Sequence, residues 1–170
     1  MTMQISDSMI WKNVEHSIID GIGLLEAFPD ISFPKFEFMS TNCWRGYIAT
    51  WIIDDEGGLR LARIGCGIHE EVLDDDNVEV EIGAVDQLYK IFPSHDSPVA
   101  ALGFTGDVTV GYGDDIQSYG MYARSYPNYR VFSFEAGRIK KFEEHDRDWW
   151  VKDKKPSALL DFLKNQTQID

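Results

Sequence analysis

The sequence holds only two cysteines, Cys43 and Cys66, in 170 residues. That scarcity excludes a disulfide-stapled scaffold and fits a reducing compartment. No apolar run approaches the roughly 18 residues that a membrane-crossing helix needs, so no membrane partner is expected. The opening residues, Met1 to Asp7, lack the basic and apolar regions of a secretory signal, which makes the cytoplasm the expected location. Cations are also scarce, with 16 Lys and Arg against 29 Asp and Glu, a net charge of −13. Residues 1–63 carry −4 and residues 124–170 carry +2. Residues 64–123 carry −11, with Lys90 the one cation among twelve acids. Such a stretch repels a polyanion, so nucleic acid is not an expected partner. A basic protein would be steered toward it.

Apolar residues make up 44% of the chain, enough for a packed core. A single domain spanning 1–170 is expected at this length. Residues 1–30 read as partly helical, because Ile10, Val14 and Ile18 recur at spacing four behind a cap at Asp7 or Ser8. The body, residues 36–145, reads as β. Residues 44–53 are aromatic and β-branched with apolar residues on both alternating faces, as a central strand covered on both sides requires. The acid–glycine run Asp54 to Gly58 is a turn signal, and Leu59 to Ile64 is the return strand. Trp44 and Trp51 are both expected to be buried on this strand. An idealised hairpin turning at Gly57 and Gly58 sets Cys66 opposite Ala49, too far from Cys43 for a disulfide, so two free thiols are expected.

Val78 to Ile82 alternates as a half-exposed strand, Ala84 to Phe92 reads as a short helix, and Val99 to Val110 as strand broken at Gly103 and Gly106. Arg130 to Phe134 and Arg138 to Phe142 flank a second acid–glycine turn, which makes room for two related hairpin units. Residues 156–165 read as a C-terminal helix opened by Pro156. The expected fold class is thus α+β, mainly antiparallel sheet, with helices near both termini.

Residues that carry chemistry are sparse. His69-Glu70-Glu71-Val72-Leu73 begins like a zinc-protease motif but has Leu73 where the second histidine belongs. Asp74-Asp75-Asp76-Asn77 is oxygen-rich but lacks the residue order of a calcium loop, and the cysteines have no Cys-x-x-Cys partner. No metal and no cofactor are expected. Ser94-His95-Asp96 sets triad residue types side by side, whereas a working triad converges from distant positions. Gly111-Tyr112-Gly113 is not followed by the glycine of a dinucleotide loop.

Two features point to binding instead. Seven acids fall within residues 69–81. Five of the seven tyrosines, Tyr112, Tyr119, Tyr122, Tyr126 and Tyr129, fall within residues 111–129, and tyrosine is a side chain that binding surfaces favour. The candidate partner-binding residues are Glu70, Glu71, Asp74, Asp75, Asp76, Tyr112, Tyr119, Tyr122 and Tyr126.

The stretch Trp44-Arg45-Gly46-Tyr47-Ile48-Ala49-Thr50-Trp51 resembles a Trp-Arg-Gly-Tyr signature of an uncharacterised family of small bacterial proteins. Phe92-Pro93, Phe104-Thr105-Gly106 and Gly111-Tyr112-Gly113 fit the same likeness, which covers residues 40–140. The resemblance implies a mainly β bacterial domain and no assigned catalytic residue. The expected function is non-enzymatic binding of a basic protein, in the manner of an immunity protein or antitoxin. The alternative is a small hydrolase or ligand-binding enzyme built from scattered acids and tyrosines. Oligomeric state is open, and a homodimer would bury exposed aromatics at two-fold pairing.

Overall fold

A computed structural model describes residues 4–36, 43–66, 85–119 and 123–154. The N-terminal stretch, expected to be partly helical, is a β-hairpin of β1 (Ser8–Trp11) and β2 (Val14–Asp20). Lys12 and Asn13 join the strands with φ of 49° and 62°, the left-handed pair that a tight hairpin turn demands. Only Val14 and Ile18 share a strand, two repeats apart, while Ile10 lies across the turn on the opposite face. One short helix follows, α1 (Leu24–Ala27).

Strands β3 (Tyr47–Ile53) and β4 (Leu59–Cys66) form the expected antiparallel hairpin. Its turn is held by Asp54, whose Oδ1 accepts from Glu56 N at 3.1 Å and Gly58 N at 2.7 Å. Arg60 Nε donates to Asp54 Oδ2 at 2.6 Å, and these bonds keep the Asp54 carboxyl below its ordinary value. The register differs from the idealised one. The ladder closes at Ile53 and Leu59, so the turn centres on Glu56 rather than on Gly57 and Gly58, and even with a one-residue bulge at Ala62 Cys66 lies opposite Tyr47. The bulge also lets Leu61 and Ile64, three residues apart, both turn into the core.

After β5 (Val85–Asp86) and α2 (Leu88–Ile91) come β6 (Val99–Ala100) and β7 (Gly106–Tyr112). A separate ribbon pairs β8 (Gln117–Tyr119) with β9 (Ala123–Ser125), and the hairpin of β10 (Asn128–Glu135) and β11 (Arg138–Asp146) follows. The described chain ends in a helical turn, α3 (Arg147–Trp149), and a wider turn over Trp150–Lys154. The expected C-terminal helix at 156–165 lies outside the described residues.

The architecture is mostly β. One mixed sheet runs in the order β11-β10-β7-β2-β1-β3-β4-β5, with β6 also on β4. Every pairing in it is antiparallel except β1 with β3. The β3–β4 and β10–β11 hairpins both form, but β3 has a parallel neighbour in β1 and β10 an antiparallel one in β7, so their surroundings differ. Their tips meet. Gly58 bridges Arg138, Leu59 N donates to Gly137 O at 2.7 Å, and Ile139 N donates to Gly57 O at 2.9 Å. The sheet therefore closes on itself at one corner.

One face of the sheet carries the main core. Met9, Ala49, Trp51, Leu61, Ile64, Val108, Val110 and Phe132 are all fully buried there. At the ends of the two short helices, Phe28 stacks on Trp51 at 6.1 Å and Phe92 packs on Phe28 at 4.9 Å. The opposite face carries a smaller cluster, in which Tyr129 stacks on Trp150 at 5.0 Å beside Tyr126 and Ile19. No helix among the described residues is long and apolar enough to cross a membrane.

Candidate functional site

Strand alternation aims Trp11, His16, Tyr112, Arg130 and Glu144 at one rim of the main core face. Trp11 pairs with Val14, Asn128 with Tyr112 and Arg130 with Glu144, so their side chains leave the sheet on the same side. The Arg130 guanidinium lies over two rings, 4.9 Å from Trp11 and 4.0 Å from Tyr112. Its Nε donates to Glu144 Oε1 at 2.9 Å and its Nη1 to His16 Nε2 at 2.6 Å. Arginine is always a donor, so His16 Nε2 accepts and the ring proton sits on Nδ1. That Nδ1–H is shared between Val14 O at 2.9 Å and Met9 O at 3.2 Å. His16 is fully buried, and burial, reinforced by the Arg130 charge, pushes its pKa below the ordinary 6.5.

This histidine makes folding pH-dependent. The native ring stays neutral while the unfolded chain takes up a proton below pH 6.5, so stability is complete above that value and is lost as pH falls toward the lower native pKa. The expected loss is at most about 1.4 kcal/mol per pH unit in that window. Denaturant unfolding of His16→Gln at several pH values checks it. The variant should lose stability less steeply below pH 6.5 than the parent, and equal slopes would exclude the assignment.

Beside this cluster lies an open cleft of about 630 Å³, between the β1–β2 turn, the β3–β4 turn and β11. Its apolar lining is Trp11, Ile53, Ile139 and Phe142. Ile139 and Phe142, three residues apart, face the same side because Lys140 is the extra residue of a bulge against β10. Lys12, Lys140 and Lys141 add cations to the rim, and Asp54, Asp55 and Glu56 add acids. The volume lies within the range of about 300–1,000 Å³ usual for ligand sites. Asp54 is already engaged by Arg60 and two backbone N–H groups, so it is no free acid or base. Among the described residues no group of three His, Cys, Asp or Glu side chains could hold a metal ion.

The residues singled out in the sequence are placed unevenly. Glu70, Glu71, Asp74, Asp75, Asp76 and Tyr122 lie outside the described residues. The described residues flanking that acidic segment, Cys66 and Val85, are register partners across β4 and β5. Tyr119 ends β8. Tyr112 is half-buried beneath Arg130, whereas Tyr126 is only 6% exposed and packs with Tyr129 on the opposite face. The two are not brought together, and Tyr126 has almost no surface to offer a partner. Sequence reasoning missed Trp11, His16, Arg130 and Phe142. The available signal was strand alternation in residues 8–20, hidden by the helical reading.

The Trp-Arg-Gly-Tyr stretch has a structural role. Trp44 is 57% exposed and precedes β3, contrary to the expected burial, and its backbone N–H donates to Gln4 Oε1 at 2.9 Å. Arg45 pairs with buried Asp7 at 2.5 Å and donates to Ile5 O and Tyr47 O. Gly46 takes a φ of 75°, a turn that leads into β3. Asp7 Oδ1 also accepts from Ala49 N at 2.8 Å. Burial pushes the Asp7 carboxyl above its ordinary value, while Ala49 N–H and Arg45 pull it back. The motif thus ties the N-terminal segment to β3. Cys43, just before it, is buried, with Sγ donating to Tyr47 O at 3.4 Å. It should react with a thiol reagent only on unfolding, and two equivalents should titrate in denaturant without reductant; none would indicate a disulfide.

Comparison with protein families, with curated proteins and with solved structures gives no match.

Proposed function

We propose that this chain works by binding a basic protein rather than by catalysis, as an immunity or antitoxin-like protein of a bacterial cell would. The observation that carries the reading is the charge pattern: −13 overall, −11 of it within residues 64–123 and seven acids within residues 69–81. A field of that sign raises the encounter rate with a cationic surface. The aromatic-lined cleft beside Arg130 gives short-range contact a place to act, since Trp11 and Phe142 present ring surface to it.

The hydrolase or ligand-binding alternative draws on the same cleft. Its volume suits a small molecule, but no tyrosine among the described residues lines it. An enzyme would need a free acid or base at the cleft, and Asp55→Asn or Glu56→Gln would then abolish turnover.

Capture of a cationic protein by the full chain, followed by association kinetics, tests the proposal. The on-rate should fall steeply with salt, as screening at physiological ionic strength confines the field to about 8 Å. Changing Asp74, Asp75 and Asp76 together to Asn should slow association several-fold, because it removes three of the seven acids of residues 69–81 and weakens the steering field. A binding rate insensitive both to salt and to the triple substitution would sink the reading.

A further inference from the structure

Strand β11 is the end of the sheet. Along one side it pairs with β10 over its whole length. Along the other, among the described residues, its only backbone partners are Gly57 and Gly58, at Ile139 and Arg138. From Lys140 onward the outer edge has no strand partner among the described residues, and seven of the nine residues of β11 are exposed. An open edge of this length is a template for another strand, and proteins usually blunt such edges with scattered charge. Here the charge is not scattered. Residues 140–144 read Lys-Lys-Phe-Glu-Glu, with both cations before the aromatic and both anions after it.

That order is complementary to itself when read backwards. Antiparallel pairing of two copies centred on Phe142 sets Lys140 opposite the partner's Glu144 and Lys141 opposite the partner's Glu143. Two-fold symmetry repeats both contacts, as a self-complementary interface requires. The two Phe142 rings, each 43% exposed at the mouth of the cleft, then cover one another. Sliding the strands by two residues in either direction puts Lys141 on Lys141 or Glu143 on Glu143, and directly opposed like charges oppose pairing. The charges that repel an arbitrary strand therefore admit one register with a second copy. We infer that this chain forms a two-fold homodimer by joining the β11 edges of two copies, in register at Phe142, into one continuous sheet.

The interface is small and rimmed by charge, so the dimer is reversible and salt-sensitive. Sedimentation equilibrium of the full chain over a concentration series should show a monomer–dimer equilibrium that weakens several-fold from low salt to about 0.5 M. Lys141→Glu and Glu143→Lys act on exposed side chains whose ion pairs, Lys141 with Glu143 at 3.6 Å and Glu143 with His145 at 3.4 Å, lie within β11 itself, so the fold should survive, as circular dichroism can confirm. Each variant alone meets two like-charge clashes across the two-fold axis and should weaken dimerisation about tenfold or more. Mixing the two should restore association, because each introduced charge then faces its opposite. A parent chain that stays monomeric at every concentration overturns the inference. So do dimers that both variants leave intact, or folded monomeric variants that fail to associate when mixed.

Discussion

Replacing Trp51 with alanine is expected to cost about 3–5 kcal/mol, the range for truncating a core aromatic. Trp51 is fully buried in the middle of β3, between parallel β1 and antiparallel β4, with Phe28 stacked upon it. Its loss leaves a cavity that three separate parts of the chain line, and strands held in two ladders have little freedom to collapse into it. Trp51→Phe should be far milder, under about 2 kcal/mol. It keeps a ring against Phe28 and removes an indole N–H that has no acceptor among the described residues. Urea unfolding of both variants measures the difference. An alanine variant within about 1 kcal/mol of the parent would mean that the ring is not part of the core.

The second large effect is at Arg130. Arg130→Met keeps an unbranched stem between Trp11 and Tyr112 but removes the guanidinium. His16 Nε2 is then buried without a donor, and the stacking of a cation on two rings is lost. An expected cost of about 2–4 kcal/mol combines an unsatisfied buried acceptor with the loss of cation–π attraction. Glu144 adds little, since it is more than half exposed and regains water. A second readout separates this account from mere loss of packing. The Arg130 charge helps to depress the His16 pKa, so in the variant that histidine should titrate at higher pH than in the parent. An unchanged titration would show that the guanidinium does not act on the ring.

The β body was legible because its signals are local. The Asp54–Gly58 turn announces itself through residue types that satisfy their own backbone, and the strands of β10 and β11 flank an Ala136–Gly137 pair with positive φ at both positions. The N-terminal hairpin was not legible because Asn13, which tolerates a left-handed backbone, sits within an apolar pattern that fits either period. The hairpin also reverses parity: Ile10 pairs with Glu15 and lies on the opposite face from Val14 and Ile18, so the apparent stripe joins residues of different faces. Trp44 failed for another reason. Its neighbours have the composition of a strand, but Gly46 turns the chain between it and β3. The Arg130 rim could not have been read at all, because its members come from β1, β2, β7, β10 and β11, and only pairing across as many as 114 residues brings His16 to Arg130.

The sheet order has a consequence for how the molecule is assembled during synthesis. Strands β1 and β2 leave the ribosome before the rest of this sheet yet end in its middle, with β3 added on one flank and β7 on the other. The β3–β4 group can dock on β1 early, whereas β2 keeps an open side until β7 arrives some ninety residues later. The nascent chain therefore passes through a stage in which its central ribbon is exposed along one edge, and only completion of the β10–β11 tip against Gly57 and Gly58 locks the ring of contacts. Removing residues 8–20 would take away the ladder that joins the two flanks, leaving them in contact chiefly at that corner. The β1–β2 hairpin is thus the keystone of the sheet, although its residues are made before those of both flanks.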